Sequence, residues 1–410
     1  MNSEVTKPRR TALAGLLENG QGVIVFAQME QEGIEKFVQD NNFLYLTGLS
    51  IPDAVFCLFK IKDRIQEMLF IQRGIPEQEV WNGKKMTREE AQKIAGIQDV
   101  GYWDEFYDRI SYLCPQLDLI WSNVGNLIIN RPPSYATFML QPVRRTFPEL
   151  TIKNFNILIA PMRSVKSEWE LKQLQTAIDL TGQGFIDVLQ QAKAGMMEYE
   201  LEAILYYRMQ RNGVQQWGFA PIIATGINAT TLHYKQNNCQ IAENDIVLLD
   251  IGASYQNYSA DVTRCFPVAG KFSLRQRQVY EEVLNVQKEI IAMIKPGVGM
   301  MQLNEKTNEL IQEALLRLNL ITEREQFRRY YMHSISHHLG MDTHDLGARD
   351  SILTPGNVIT VEPGIYIPEE SLGIRIEDDI LVTETGNINL CKDIPKEADE
   401  LEKIRMAAIK

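Results

Sequence analysis

Four carboxylates sit in this chain where an ordinary core would leave them costly. The stretch IVLLDIGASYQNYSADVTRCF, residues 246–266, opens as a nearly pure apolar strand that ends on Asp250, and Asp261 follows eleven residues later in another strand-like run. The stretch NVITVEPGIYIPEESLGIRIEDDILVT carries Glu362 and Glu377, fifteen residues apart. A buried charge needs a base, a backbone cap or a cation beside it. The polar segment SYQN, 254–257, reads as a turn, and a hairpin closed around Tyr255 and Gln256 sets Asp250 opposite Asp261. Opposed Cβ atoms in such a ladder lie about 4.5–5.5 Å apart. The midpoint of Glu362 and Glu377 falls at Glu369 and Glu370, inside the turn PEES, so a second hairpin opposes that pair too. Facing carboxylates repel unless a cation lies between them.

Histidines extend the set. There are only five: His233, His333, His337, His338 and His344. Four fall in HSISHHLGMDTHD, where His333, Ile335, His337, Leu339 and Met341 alternate as on one face of a strand. His333 and His337 then point the same way and His338 away. His233 stands alone in NATTLHYKQ, and a lone histidine is more often an ordinary surface or core residue than a ligand. Four carboxylates with one or two histidines can bridge two divalent cations about 3.5–4 Å apart. Such an oxygen-rich set suits Mn²⁺ or Mg²⁺, with Zn²⁺ and Co²⁺ also compatible. Two cations acidify a bridging water, which is hydrolase chemistry. Singly, each acid has a bland reading: Asp250 caps a turn, Glu362 precedes the Pro363–Gly364 turn, and Glu377 pairs with Arg375 or is surface acid in EDD. Four together, each in or beside an apolar strand, favour the metal. No GxSxG, P-loop or GxGxxG occurs, and no cysteine has an activating context.

These residues must be held by larger elements. Residues 1–160 alternate strand-like runs (QGVIVFAQ, AVFCLFKI, EMLFIQRG, LDLIWSNVG) with helical ones, as in a self-contained α/β domain. TREEAQKIAG reads as a helix with Thr87 as N-cap and Glu90 completing a capping box. In NILIAPMRSVKSEWELKQLQ the chain leaves a strand, turns at Pro161 and enters a long amphipathic helix capped near Ser167, which marks a domain boundary. Residues 161–410 carry a faint repeat: Gly195-Met196-Met197 recurs as Gly299-Met300-Met301, each after a long helix (168–192 and 274–294) and before strand-rich sequence. A helix–helix–strands unit used twice would give a pseudo-symmetric α+β domain, although unrelated amphipathic helices fit the spacing as well.

Bulk properties set the outer bounds. A chain of 410 residues is too long for one core and implies two or three domains. At 45% hydrophobic and 23% charged it is an ordinary globular protein, and a net charge of −11 argues against a nucleic-acid or anionic-membrane partner. Cys57, Cys114, Cys239, Cys265 and Cys391 are odd in number without a CxxC, the pattern of reduced thiols. The start lacks the apolar core of a signal peptide, and no apolar run reaches the ~18 residues of a membrane span, so the cytoplasm is the expected compartment.

The acid and histidine motifs resemble the pita-bread metallopeptidases, the family of methionine aminopeptidase, prolidase, creatinase and aminopeptidase P. That family's dinuclear site uses Asp, Asp, His, Glu and Glu in chain order, matched here by Asp250, Asp261, His337, Glu362 and Glu377. In addition, RRTALAGLL, NNFLYLTGLSIPDAVFCLF and EVWNGKKMTREEA look like the N-terminal domain of aminopeptidase P, which methionine aminopeptidases lack. The resemblance covers essentially the whole chain. It implies an α+β protein: an aminopeptidase P-type α/β domain over 1–160 and a duplicated pita-bread catalytic domain over 161–410.

It also implies a cytoplasmic metallo-aminopeptidase that hydrolyses the N-terminal Xaa-Pro bond of peptides, with two divalent ions per subunit, Mn²⁺ being expected. Asp250 would bind one metal, Asp261 and Glu377 bridge both, and His337 and Glu362 bind the other. Glu362 would shuttle a proton from the metal-bridging hydroxide nucleophile's parent water to the leaving proline nitrogen. His233, His333 and His344 match outer histidines that contact substrate and stabilise the oxyanion; His338 has no expected role. Arg375 positions Glu377 or contacts substrate, with simple charge pairing an equal alternative, and Trp81 matches an aromatic of the proline-side pocket or is a core residue. The first domain would restrict access to free chain ends. Peptides with proline second are the expected partners, nucleic acid and membrane are not, and a homo-oligomer (dimer or tetramer) is common among relatives. Two alternatives stand beside this reading: a prolidase limited to Xaa-Pro dipeptides, which shares every metal ligand, and a non-catalytic pita-bread binding protein, which would usually lose ligands.

Overall fold

The computed structural model describes residues 1–30, 36–125, 132–214 and 216–409. The chain divides into two compact units, Met1–Met162 and Arg163–Lys410. In the first, β1 (Gln21–Phe26), β2 (Val55–Ile61), β3 (Arg64–Ile71), β4 (Val100–Tyr102), β5 (Leu119–Ser122) and β6 (Thr151–Asn154) form one mixed sheet in the order β4-β3-β2-β1-β5-β6. The four expected strand runs supply β1, β2, β3 and β5. The helix Arg88–Ala95 starts at Thr87, whose hydroxyl accepts from the Glu90 N–H while the Glu90 carboxylate accepts from the Thr87 N–H. The expected strand before Pro161 is instead the helix Asn156–Ser164, with Pro161 inside it. A four-residue apolar run fits a buried strand or a helix equally by periodicity, and only its flanks decide.

The second unit is built from the repeated motif. The helix Glu168–Gln191, with the Ser167/Glu170 capping box, is followed by the helix Glu198–Arg211. The helix Leu274–Met293 is followed by Met300–Arg317. Gly195 N–H donates to the Ile241 carbonyl and Gly297 N–H to the Leu353 carbonyl, and both glycines have φ +89°. That conformation suits glycine and lets the chain turn into the second helix of each copy. The true offset is therefore 102 residues (Gly195 to Gly297), not the 104 that matched the two Gly-Met-Met triplets. The strands are β7 (Gln216–Trp217), β8 (Ile222–Thr225), β9 (Ile246–Ile251), β10 (Ala253–Tyr255), β11 (Tyr258–Ser259), β12 (Val262–Pro267), β13 (Val358–Val361), β14 (Gly364–Ile367), β15 (Leu372–Arg375), β16 (Asp378–Val382) and β17 (Asn387–Asn389). One apolar cluster runs through this unit, with Phe185, Leu248, Phe266, Val283 and Ile380 fully buried or nearly so.

Two registers decide where the acids fall. The hairpin turns at Gln256 and Asn257, which have φ 52° and 64°. Its ladder pairs Asp250 with Thr263 and Ile251 with Val262. The expected Asp250–Asp261 register is thus shifted by two residues, and Asp261 sits diagonally across from Asp250. A shift of two preserves the face, because side chains alternate with period two. Gly252 permits the crowded crossover, since a Cβ there would lie 1.8 Å from the Ala260 carbonyl oxygen.

In the second hairpin, β13 pairs with β16 (Val361 with Asp378) and β14 with β15 (Gly364 with Arg375) in one common register. Glu362 and Glu377 therefore face each other in the gap between the two ladders, as their midpoint implied. Ile376 N–H donates to the Pro363 carbonyl at 3.3 Å, so the adjacent glutamate pair is of the non-hydrogen-bonded kind, in which side chains approach most closely. Their own N–H groups point outward: Glu377 donates to the Thr263 carbonyl (3.1 Å) and Glu362 to the Ile335 carbonyl (2.9 Å).

The segment 333–341 is not the strand its alternation suggested. It runs extended beside β13, with Leu339 N–H donating to Val358 and Thr360 N–H to His337. The N–H groups of Ile335 and His337 turn instead to the side chains of Asn304 (2.9 Å) and Thr360 (3.2 Å), which prevents a second ladder.

Candidate metal centre

Backbone pairing brings β9, β12, the Glu377 strand, the Glu362 strand and the histidine segment side by side, and each contributes an acid or imidazole to one face. Asp250, Asp261 and Glu377 are buried, and Glu362 and His337 are half-buried. Asp261, His337 and Glu377 each present a donor atom within 4.8 Å of one another. His337 Nε2 lies 3.3 Å from Asp261 Oδ2 and 3.6 Å from Glu362 Oε1. Its Nδ1 faces the His338 carbonyl at 3.0 Å, so that nitrogen carries the proton and Nε2 keeps its lone pair toward the acids.

Asp250 is reached differently. Its Oδ2 accepts from Arg375 Nη2 at 2.7 Å, and its buried Oδ1 has no hydrogen-bond partner among the described residues. Thr263, opposite Asp250, donates through Oγ1 to Glu377 Oε2 at 2.7 Å.

The electrostatics are unfavourable to protein alone. Burial pushes the Asp261 carboxyl up, and Asp250, Asp379 and Glu362 push it further. Burial likewise raises Glu377, with Asp261, Glu362 and Asp250 adding to it. Arg375 opposes this at Asp261, and His337 and then Arg375 oppose it at Glu362. Positive charge between the carboxylates would offset both the burial cost and the mutual repulsion. The donor set, the orphaned Asp250 oxygen and the directed His337 nitrogen all fit divalent cations.

The outer residues are placed as follows. His333 Nδ1 donates to the Ser334 carbonyl (2.8 Å), so Nε2 accepts from the Tyr366 hydroxyl (2.9 Å), whose oxygen accepts from Arg375 Nη1 (3.1 Å). Burial, then Arg375, lowers His333 to about 4, so it is neutral near pH 7. His333 Nδ1 lies 3.8 Å from Glu362 Oε2. The His344 ring packs edge-on to His337, with centroids 4.3 Å apart, and is exposed. His233 is exposed on a loop whose neighbour Tyr234 donates its hydroxyl to the buried Glu198 at 2.7 Å. His338 points away, bonded to Ser351 Oγ at 2.9 Å. Arg375 is buried and contacts Asp250, Tyr366 and Thr263 rather than Glu377. Trp81 belongs to the other unit, on the helix Pro76–Asn82, and at 86% exposure it is no core residue.

Sequence reasoning missed Thr263, Tyr366 and Asp379. Period two carried the signal: 261 and 263 share a face, as do 362 and 366, and 375, 377 and 379. Asp379 is fully buried, and its Oδ2 accepts from the Asp261 N–H at 3.1 Å.

A buried charge cluster pins the loop that carries His337 and His344. Arg163 donates to Asp345 (2.5 Å) and Asp342 (2.6 Å), and Lys166 to Asp345 (3.3 Å). Burial pushes the Asp345 carboxyl up, but Arg163 and Lys166 outweigh it and hold it below the usual range. The Asp345→Ala variant should lose about 3–5 kcal/mol of stability at pH 7, because it strands a buried cation. A depressed carboxyl contributes above its unfolded value and loses that contribution as pH falls through its folded value. Urea unfolding of both proteins should therefore show the gap narrowing below about pH 4; a gap independent of pH would contradict this.

Residues 172–384 match the model of metallopeptidase family M24. The chain belongs to that family. Residues 6–121 match the aminopeptidase P N-terminal domain. Xaa-Pro aminopeptidase of Escherichia coli K12 is 31% identical, covering 98% of this chain and 97% of that one. Human Xaa-Pro aminopeptidase 3 is 33% identical over 90% of this chain and 76% of its own. Among solved structures, a Bacillus anthracis chain assigned to aminopeptidase P has TM-score 0.95 at 39% identity, covering 100% of this chain and 99% of that one. Escherichia coli aminopeptidase P with the inhibitor Pro-Leu has TM-score 0.91 at 29% identity and the same coverage. This M24 member is thus a metal-dependent peptidase with the α+β pita-bread fold. Among the described residues, no helix is long and apolar enough to cross a membrane.

Proposed function

We propose that the chain is an Xaa-Pro aminopeptidase acting on peptides longer than two residues, with two divalent cations, Mn²⁺ by preference. The observation that carries this is the cluster of Asp261, His337 and Glu377, with Glu362 3.6 Å from His337 and with Asp250 and Glu362 close enough for their charge to oppose that of Asp261 and Glu377. Asp250 would hold one cation, His337 and Glu362 the other, and Asp261 and Glu377 both. Bound there, the cations would supply Lewis acidity and an acidified water as nucleophile.

The rest is work for the chain's own side chains. Glu362 takes the proton of the attacking water and delivers it to the proline nitrogen as the bond breaks. Burial, the leading influence on its carboxyl, raises it toward the range of a working acid–base group. His233 and His344, both exposed and near enough for their charges to interact, are the donors for substrate and oxyanion. His333 acts with them through Glu362 and through Tyr366 and Arg375. Arg375 orients Asp250. Trp81 is proposed as a proline-side contact, on the strength of its exposure.

Proline brings no N–H to its scissile bond, so a peptidase that binds that N–H would fail. A site relying on cations and imidazoles has no such need. The names of the relatives support the proline specificity, and the matched N-terminal domain favours the aminopeptidase over a dipeptidase. The unpaired cysteines support a cytoplasmic setting, and a homo-oligomer goes with this reading. The test is an assay of the Mn²⁺-loaded protein on Xaa-Pro-Yaa and Xaa-Pro side by side. Release of Xaa from the tripeptide is expected; cleavage of the dipeptide alone would make it a prolidase.

A further inference from the structure

The gap between the two ladders, where Glu362 and Glu377 face each other, is spanned by a residue from a helix. Gln287, on the helix Leu274–Met293, is fully buried. Its Nε2 donates to the Val361 carbonyl (3.2 Å) and to the Ile376 carbonyl (3.1 Å), the residues immediately before Glu362 and Glu377. Its Oε1 accepts from Lys396 Nζ (2.8 Å), which also pairs with Asp378, the residue after Glu377.

The need for this side chain follows from Pro363. Ile376 N–H donates to the Pro363 carbonyl, and a regular ladder would return a bond from residue 363 to the Ile376 carbonyl. Proline has no N–H to return. The Ile376 carbonyl would then be a buried acceptor without its ladder partner, which the interior penalises. Gln287 supplies the missing donor and ties the same amide to the opposite strand at Val361.

We propose that Gln287 is a positioning residue for the metal pair: it sets the separation of the Glu362 and Glu377 strands, and through it the spacing of their carboxylates. The proposal rests on those glutamates being metal ligands. Without the amide donor, the strands must shift or twist to resatisfy the Ile376 carbonyl, whose ladder donor Pro363 cannot supply. Displacement there moves both glutamates, because the backbone of each is joined by one peptide bond to a tethered carbonyl. A merely structural glutamine would affect unfolding but leave cation binding by the folded protein unchanged.

The experiment compares wild type, Gln287→Met, Gln287→Glu and Glu377→Ala. Methionine keeps the length and lacks donors. Glutamate keeps an acceptor for Lys396 and lacks donors near neutral pH, so it serves if methionine compromises folding. Each metal-stripped protein, verified as folded by circular dichroism, is titrated with Mn²⁺ by calorimetry, and the Mn²⁺ paramagnetic resonance spectrum is recorded. Wild type should take two Mn²⁺ and show exchange-coupled ions. Both Gln287 variants should bind about 10–100-fold more weakly, the range for groups that support metal ligands, with an altered coupling signal. Wild-type affinity and spectrum in either folded Gln287 variant, with only a lower melting temperature, would overturn the proposal. Wild-type binding by Glu377→Ala would overturn the ligand assignment instead, and the proposal with it.

Discussion

Replacing Asp261 by alanine should abolish tight cation binding and cut kcat/KM for an Xaa-Pro tripeptide by about 10³-fold or more, the scale of losing a strong transition-state electrostatic group. Asp261 faces His337 at 3.3 Å and shares a donor cluster with Glu377, and as a ligand proposed to be shared by both cations it would have no neighbour to replace it. The same substitution should have the opposite effect on the metal-free fold. Burial and three neighbouring acids raise the Asp261 carboxyl, which means its charged form opposes folding at neutral pH. A raised carboxyl costs stability as pH rises through its folded value, and acidification relieves that cost. Metal-free Asp261→Ala should therefore unfold at the same or a higher urea concentration than metal-free wild type at pH 7, with the advantage shrinking in acid. Such a trade of stability against activity is common where a site concentrates like charge. Full activity in the variant would refute the assignment of the metal site.

Changing Glu362 to glutamine should lower kcat by about 10²–10⁴-fold, the usual contribution of a positioned general acid–base group. Glutamine keeps the shape and the opposition to Glu377 in the ladder gap but cannot carry the proton. Glu362 also lies 3.6 Å from His337 Nε2, so cation affinity should fall as well, though less than in Asp261→Ala. Activity measured at saturating Mn²⁺ separates the two effects. Recovery of wild-type kcat at high Mn²⁺ would leave Glu362 as a ligand only and remove it as the proton carrier.

Much of the site could be read before its geometry was known, because period two survives small errors. A hairpin centred one residue early still puts Asp250 and Asp261 on one face, because the turn at Gln256 and Asn257 moves the register by two. The face was therefore right and the opposition wrong. Glu362 and Glu377 were placed opposite each other correctly, because PEES is an unmistakable turn and both ladders share its register. The histidine segment misled for a physical reason. Its alternation is that of an extended chain, but Asn304 and Thr360 side chains take the N–H groups a strand would have paired. Alternation reports side-chain direction, which is why His333 and His337 do converge on Glu362 while His338 turns away to Ser351. Gln287 and Asp345 were illegible, since each acts across more than seventy residues and a single polar residue in a helix or loop carries no periodic signal. The repeat was seen but misaligned, because a shared Gly-Met-Met triplet outweighed the glycines that make equivalent turns.

Cleavage of a peptide with proline in second place is proposed to require two cations held by Asp250, Asp261, His337, Glu362 and Glu377. Metal-stripped protein titrated with Mn²⁺, while release of Xaa from an Xaa-Pro-Yaa tripeptide is followed, tests it most directly. The account predicts no release without metal and a rise that levels off at two Mn²⁺ per chain. Equal release by the stripped protein, or none at any Mn²⁺ level, would contradict it.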